Sequence, residues 1–161
     1  MENTILTTNL KGIRENYAFL SLDAIAELYC LETTKTISKQ AINYWLNGKR
    51  IPSIENIKII ADIFCVSLDY LMGRKKEMYD EEIISNLEKE IPFEHLIHLP
   101  FRIPKEYKNE TIRKQNYSLE KRVYMLMAIR LSEFDLDLSK KYANTFFYDE
   151  WLNDKELCYG I

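Results

Sequence analysis

The stretch from Ile37 to Ser53 constrains the fold of this chain more than any other part of its sequence. Ser38 can cap a helix start, because its hydroxyl can accept a hydrogen bond from a free backbone N–H. Apolar residues then recur at helical spacing, at Ile42, Trp45 and Leu46. Gly48 follows as a residue that commonly ends helices. The sequence therefore predicts an amphipathic helix over 38–47, with Trp45 as a core anchor rather than a base-stacking group.

The other face of this helix carries side chains that can bind nucleic acid. Lys39, Gln40 and Asn43 can donate hydrogen bonds to base edges or phosphates. Lys49 and Arg50 add two adjacent positive charges directly after the helix. A merely solvated helix face would have a similar composition, so this pattern alone leaves both interpretations open.

Charge is distributed unevenly along the chain. The net charge is −3, yet residues 1–76 carry 10 Lys and Arg against 8 Asp and Glu, whereas residues 77–161 carry 12 against 17. Between 33 and 58 Glu55 is the only acidic residue, and the basic residues are Lys35, Lys39, Lys49, Arg50 and Lys58. Because a local field matters more than the global sum for docking, the first half remains suited to a phosphate backbone.

Helical spacing and capping serines predict five short helices in the first half of the chain. The predicted helices cover 9–19, the stretch after Ser21, 38–47, the stretch after Ser53, and 67–72. Asn9 is the expected cap of the first helix. We therefore expect a mainly α fold, with a five-helix domain over 1–73, a linker over 74–78 and a second domain over 79–161.

The second domain is expected to be smaller and mostly helical, with an α+β arrangement left open. Helices are predicted over 79–90, from Ser118 to about 132, and from Ser139 to about 148. Three of the four prolines fall within 91–117, which predicts extended or irregular structure there. Acidic and apolar residues alternate over 133–138, which predicts a strand-like segment or a turn, or else an acidic surface for a basic protein.

No pattern in the sequence predicts catalysis, a metal or a cofactor. His95 and His98 stand three residues apart beside Glu94 and could hold a metal on a helical turn. No third group of ligands supports that site, and the nearby prolines disfavour a helix. There is also no glycine-rich phosphate loop. We expect a protein that is not an enzyme.

Cysteine usage and hydropathy predict a cytoplasmic protein. The three cysteines are far apart and form no Cys-x-x-Cys pair, which favours free thiols over a disulfide or a zinc site: Cys30, Cys65 and Cys158. No apolar run approaches the roughly 20 residues that span a bilayer. The first residues show no secretion signal. We therefore expect no membrane partner.

Several motifs in order give residues 9–73 a specific resemblance. They are Leu20-Ser21, Ile25-Ala26-Glu27, Ile37–Ile42, Trp45–Ser53, Ile60-Ala61 and Val66–Gly73. In this arrangement the segment resembles the phage-repressor type of helix-turn-helix, the Xre/Cro/CI-like family. The resemblance implies a five-helix domain whose third helix enters the major groove of double-stranded DNA.

The resemblance also implies roles for individual residues. Lys39, Gln40 and Asn43 fall where such proteins touch bases. The residues expected at the DNA backbone are Ser38, Asn47, Lys49 and Arg50.

Three departures from the family pattern stand out, and the first two affect the expected docking geometry. Leu22 replaces a glutamine that usually braces a backbone contact. The connection before the third helix is longer than usual, with a loop expected around 31–36. Cys65 stands where a glycine usually ends the fourth helix in a left-handed conformation, at a cost of roughly 1–2 kcal/mol.

These observations predict a sequence-specific DNA-binding transcriptional regulator, of repressor and phage or mobile-element type, acting as a homodimer on an operator. Two alternatives remain: an anti-defence (anti-CRISPR-like, nuclease-inhibiting) protein with a helix-turn-helix autorepressor domain, or an antitoxin. In both, the acidic second domain would bind a protein partner. Aromatic residues near the C-terminus are candidates for that surface or for a dimer face, although most should lie in the core: Phe146, Phe147, Tyr148 and Trp151.

Overall fold

The computed structural model describes residues 4–146 and 158–159, which fall into two compact units divided between Asp80 and Glu81. Within these residues there are ten α-helices, one 3-10 helix and two strands of two residues each. The prediction of a mainly α fold is confirmed.

The first unit is built from five helices: α1 Thr4–Asn16, α2 Leu22–Thr33, α3 Lys39–Leu46, α4 Ile54–Phe64 and α5 Leu68–Leu71. A serine precedes each of the last four, and its hydroxyl accepts a hydrogen bond from the backbone N–H three residues later: Ser21, Ser38, Ser53 and Ser67. These bonds satisfy N–H groups that the first turn of a helix leaves without a partner. Capping chemistry therefore sets where these helices begin, as the sequence predicts.

The core of the first unit lies among α1, α2, α3 and α4. Helix α2 packs against α3 and α4, and α1 packs against α3 and α5. Buried side chains at helical spacing fill the space between them, including Ile13, Ile25, Ile42 and Phe64. Trp45 is only 7% exposed, so its predicted role as a core anchor is confirmed. Helix α3 is thereby held against the rest of the unit along its whole apolar side.

The first helix begins earlier than predicted. It starts at Thr4 and buries Leu6 as well as Leu10, so Asn9 lies inside the helix and is not its cap. The Asn9 side-chain amide instead donates to the carbonyl oxygens of Tyr70 and Leu71, at 2.8 and 3.2 Å. These carbonyls lie at the C-terminal end of α5, where helical N–H partners run out, although Gly73 N–H also donates to the Tyr70 carbonyl at 3.0 Å. The predicted cap is wrong because the amide serves a tertiary contact.

The connection between α2 and α3 is shorter than the predicted loop over 31–36. Helix α2 continues to Thr33, and Thr34 ends it in the left-handed conformation, with φ of 60° and its N–H bonded to the Cys30 carbonyl. The Thr33 hydroxyl donates to the Tyr29 carbonyl at 2.8 Å and so stabilises the added turn. The first three residues of the predicted loop, 31–33, therefore extend α2, and residues 34–38 remain as the connection.

Cys65 adopts the left-handed conformation expected at this position, with φ of 57°. Its side chain is fully buried, which offsets the cost of that backbone conformation. The backbone then pairs with a later segment, because Ser67 N–H donates to the Met78 carbonyl at 2.8 Å and Asp80 N–H to the Cys65 carbonyl at 3.0 Å. Residues 74–78, which we expected to be a linker, are thus tied into the first unit.

The second unit is arranged around its longest described helix. The helices are α6 Glu81–Lys89, α7 Phe93–Ile97, α8 Glu110–Asn116, α9 Leu119–Leu131 and α10 Leu136–Phe146. Helix α9 packs against α6 and α10 and is buried along most of its length. A 3-10 helix spans Lys105–Lys108, and strand β1 (Ile103–Pro104) pairs antiparallel with β2 (Cys158–Tyr159).

The prediction of extended or irregular structure over 91–117 is wrong in part. Two prolines stand immediately before helices, Pro92 before α7 and Pro104 before the 3-10 helix. A proline is tolerated at a helix start, where a backbone N–H would have no helical partner in any case. The prolines therefore divide the segment into short helices and do not exclude them.

The strand-like alternative for residues 133–138 is also wrong, whereas the turn is confirmed. Residues 132–134 form a turn, and α10 begins at Leu136, three residues before the predicted start. Asp135 accepts a hydrogen bond from Leu138 N–H at 3.0 Å and so caps the helix. Ser139, the predicted first residue of this helix, is buried and donates to the Ala128 carbonyl on α9 at 2.6 Å.

A buried ionic cluster joins four elements of the second unit. Glu88 on α6 accepts hydrogen bonds from Arg122 on α9, at 2.6 Å, and from the Tyr107 hydroxyl, at 3.0 Å. Arg113 Nε on α8 lies 3.1 Å from the same carboxylate, as an ion pair rather than an aligned hydrogen bond. Burial, together with the adjacent Glu88 charge, raises the pKa of Tyr107 well above its ordinary value. The exposed Glu81 supplies a second carboxylate to Arg122, at 2.8 Å.

Candidate nucleic-acid interface

Helix α3 presents one apolar side to the core and one polar side to solvent. Its start is fixed by Ser38, whose Oγ accepts from Ala41 N–H at 3.1 Å. Lys39 and Gln40 are exposed, and Asn43 and Tyr44 are half-exposed on the following turn. The buried side chains of this helix leave the polar side available to a partner.

Lys39 forms a weak link between α3 and the start of α2. Its Nζ lies 3.3 Å from Asp23 Oδ1, and both side chains are more than half exposed. Ion pairs this exposed contribute no more than about 1 kcal/mol. A base or phosphate can therefore replace the carboxylate as a partner of Lys39 at small cost.

Two hydrogen bonds organise the remaining polar side chains of α3. Gln40 Nε2 donates to the Tyr44 hydroxyl at 2.7 Å, and Asn47 Nδ2 donates to Asn43 Oδ1 at 2.6 Å. Both pairs are four residues apart, the spacing that places side chains next to each other on a helix surface. The amides are therefore held in defined orientations before any partner binds.

The basic turn after α3 folds back onto Tyr44. Lys49 and Arg50 both donate their backbone N–H to the Tyr44 carbonyl, at 2.9 and 3.2 Å. Their charged groups lie over the Tyr44 ring, with Lys49 Nζ at 5.7 Å and Arg50 Cζ at 5.2 Å from its centroid. Cations at such distances are attracted to the negative face of the ring.

Gly48 makes this turn sterically feasible. Its φ is +75°, and a Cβ atom there would collide with the side chain of Thr7 on α1. A side chain would therefore be both strained and obstructed, because only glycine adopts this conformation without cost.

The structure brings the predicted DNA-contacting residues onto α3 and the residues that flank it. All of them are exposed except Asn43, which is half-exposed: Ser38, Lys39, Gln40, Asn43, Asn47, Lys49 and Arg50. Tyr44, which contacts three of them, is not among the residues that the sequence predicts. Its signal was the four-residue spacing from Gln40. The contact with the basic pair, by contrast, depends on the backbone of the turn.

The start of α2 differs from what the family pattern implies. Ser21 caps the helix by accepting from Ala24 N–H at 3.0 Å, and Leu22 is its half-exposed first residue. Asp23 follows with an exposed carboxylate. This helix end therefore offers an apolar side chain at the position where the family usually has an amide, followed by a negative charge at the next residue.

The predicted aromatic surface and the histidine pair both lie outside α3 and its basic turn. Phe146 is the last residue of α10, whereas Phe147, Tyr148 and Trp151 lie outside the described residues.

His95 Nε2 is 2.9 Å from Ser132 Oγ, and its Nδ1 is 3.3 Å from Glu133 Oε1. Within the described part of the chain, no group of three or more His, Cys, Asp or Glu residues could hold a metal. No helix there is long and apolar enough to cross a membrane.

Comparison with known proteins identifies the first unit. A helix-turn-helix family model matches residues 20–71, from just before α2 to the end of α5. The first unit thus contains a helix-turn-helix domain of the Xre/Cro/CI type, which supports a role in DNA binding and regulation. No curated protein and no solved structure matches the chain.

Proposed function

We propose that this protein is a transcriptional repressor of phage or mobile-element type that reads an operator with α3 in the major groove. The observation that carries the proposal is the exposed side of α3, on which amide and ammonium donors lie beside a basic turn. A major groove admits one helix and presents a distinct pattern of donors and acceptors for each base pair.

The roles we assign divide the surface into two parts. Lys39, Gln40 and Asn43 contact base edges, where Lys39 suits the acceptors of guanine and a glutamine amide suits adenine. The residues that contact phosphates are Ser38, Asn47, Lys49 and Arg50, which fix the register of α3 without carrying sequence information.

The proposed active form is a homodimer on a two-fold operator. A single small DNA-binding module buries only about 600–1,000 Å² of its surface, which limits the affinity of a monomer. Two modules bind half-sites about 34 Å apart, one helical turn of DNA, and so combine their contacts. We expect the second half of the chain to form the dimer interface. Analytical ultracentrifugation of the protein bound to its operator tests this proposal. A dimer is expected, and a monomer would contradict it.

The direct test of base reading is the double variant K39A/Q40A. We expect it to lose about 2–6 kcal/mol of discrimination for a duplex selected from a randomised library by the full-length protein, because each base contact contributes about 1–3 kcal/mol. The matched control is K140A/N144A, which removes a lysine and an amide from exposed positions on α10. Unchanged affinity of K39A/Q40A in a gel shift would overturn the assignment.

A reporter gene tests the direction of regulation. The selected duplex is placed within a promoter, and expression is measured with and without the protein. We expect expression to fall, because a protein bound across a promoter excludes polymerase. A rise in expression would contradict the repressor assignment while leaving DNA binding intact.

The acidic second half of the chain supports a second candidate function. Residues 77–161 carry 17 Asp and Glu against 12 Lys and Arg, which suits a basic protein partner. In that case the protein would be an anti-defence inhibitor of a nuclease, or an antitoxin, whose helix-turn-helix domain regulates its own gene. Purification of the full-length protein from its host separates the alternatives. A stoichiometric basic partner supports this candidate, and a homodimer alone supports the plain repressor.

A further inference from the structure

We propose that Tyr44 is a positioning residue that couples base reading to phosphate binding, with its hydroxyl acting on Gln40 and its ring acting on Lys49 and Arg50. This inference rests on the proposed function, since it assigns a task within the same DNA-binding surface. Tyr44 itself need not touch a base in order to perform it.

The Tyr44 hydroxyl acts on the orientation of the Gln40 amide. The bond from Gln40 Nε2 to the Tyr44 hydroxyl, at 2.7 Å, uses one of the two N–H donors of the amide. One N–H and Oε1 remain, and this is the donor–acceptor pair that binds adenine through N7 and the exocyclic N6 amino group. Without the hydroxyl, the exposed Gln40 side chain would sample many rotamers. It would then lose that conformational entropy when DNA binds.

The Tyr44 ring acts on the basic turn. Lys49 Nζ and Arg50 Cζ lie 5.7 and 5.2 Å from the Tyr44 ring centroid, and both side chains are exposed. An attraction of this kind leaves the charges unneutralised, in contrast to an ion pair with a carboxylate. The cations therefore stay available to phosphates while their side chains are restrained.

The same residue also holds the backbone of the turn. Its carbonyl accepts from the N–H groups of Lys49 and Arg50, at 2.9 and 3.2 Å. Any side chain at position 44 can provide this carbonyl, so it persists in substituted proteins. Substitutions at Tyr44 therefore test the hydroxyl and the ring with the turn itself kept in place.

Two substitutions separate the hydroxyl from the ring. Tyr44→Phe keeps the ring and removes the acceptor for Gln40, so it should reduce preference for the base pair read by Gln40 by about 3- to 10-fold. Its affinity for unrelated duplexes, and the salt dependence of that affinity, should stay unchanged. Tyr44→Leu also removes the ring, so its affinity for unrelated duplexes should fall by about 3- to 10-fold.

The experiment uses the full-length protein and a duplex selected from a randomised library. The base pair read by Gln40 is identified as the one at which Gln40→Ala loses its preference. Fluorescence anisotropy then gives the affinities of wild type, Q40A, Y44F, Y44L and Q40A/Y44F for the selected duplex, for the duplex changed at that pair and for an unrelated duplex. Non-additive effects of Q40A and Y44F, with the double variant discriminating no worse than Q40A, support the coupling.

Two results would overturn the inference. One is Y44F with wild-type discrimination at the Gln40 base pair, and the other is Y44F with equal losses on selected and unrelated duplexes, as a purely structural role would produce. Both require that wild type prefers the selected duplex. A wild type without any preference would instead mean that the proposed function has failed.

Discussion

Basic side chains serve opposite purposes in the two units of this protein. Lys49 and Arg50 in the first unit are exposed and lie over an aromatic ring. Arg113 and Arg122 in the second unit are buried and surround the Glu88 carboxylate. The same residue types are thus held by a neutral ring in one place and by an opposite charge in the other.

The difference shows what each set of charges can do. A buried charge is costly unless it is paired, so the cluster around Glu88 is satisfied internally and cannot serve a ligand. An exposed charge near a ring keeps nearly its full field, which a polyanion can use. Charge counts alone do not distinguish the two, since both halves of the chain carry similar numbers of Lys and Arg.

The largest effect is expected from removing the carboxylate at the centre of the buried cluster. Glu88→Ala leaves two buried guanidinium groups without their shared partner, so we expect the free energy of unfolding to fall by about 3–5 kcal/mol. Urea denaturation followed by circular dichroism measures it. The matched control is Glu90→Ala at an exposed position nearby, with a change within about 0.5 kcal/mol. Equal effects of the two would remove the distinction between buried and exposed charge.

The opposite behaviour is expected at the basic turn. K49A/R50A should leave the free energy of unfolding within about 0.5 kcal/mol and lower the slope of log affinity against log salt by about 2, one for each phosphate contact. K140A/K141A removes two exposed charges from α10 and serves as the control. The prediction fails if both pairs change the salt slope equally.

Alkaline pH should weaken the second unit through Tyr107. Its pKa is raised in the folded protein because burial and the Glu88 charge disfavour the phenolate, so the folded state retains a proton that the unfolded state loses. Stability from Tyr107 is complete below its ordinary pKa of 10.0 and is lost as pH rises above it, by about 1.4 kcal/mol per pH unit. The advantage of wild type over Tyr107→Phe in urea should therefore shrink above pH 10. A constant difference from pH 8 to pH 11 would contradict this.

The smallest effect is expected at a position that touches neither set of charges. Gly12 lies within α1, and a Cβ there meets no atom within 4 Å. Gly12→Ala should therefore raise the free energy of unfolding by about 0.5–1 kcal/mol, because alanine loses less backbone entropy in a helix. DNA affinity should not change. A loss of stability would show that α1 is strained at this residue.

The sequence predicts those parts of the fold that rest on local chemistry. Ser21, Ser38, Ser53 and Ser67 mark helix starts because a capping hydroxyl acts within three residues. The prediction for Asn9 is wrong because its role is not local. An amide can cap its own helix or bind the carbonyls of a distant one, and sequence does not distinguish the two. The buried cluster could not be predicted, because Glu88, Arg113 and Arg122 are far apart in sequence and only the packing of three helices unites them.

The same distinction between local and tertiary contacts applies to the candidate site. Lys39, Gln40 and Asn43 share a helix face that periodicity alone assigns. The contact of Tyr44 with Lys49 and Arg50 depends on a turn at Gly48 with positive φ, whose direction no pattern of residue types specifies. The composition of such a surface can therefore be predicted from sequence, whereas its internal contacts depend on how the turn folds.

The measurement that tests the central claim most directly is the affinity of the full-length protein for its selected duplex and for a scrambled duplex of equal length, at physiological salt. If α3 reads bases, the selected duplex should bind at least about 1,000-fold more tightly, as specific complexes do. Equal affinities, with the same dependence on salt, would mean that the exposed side of α3 binds only phosphates and would contradict the account.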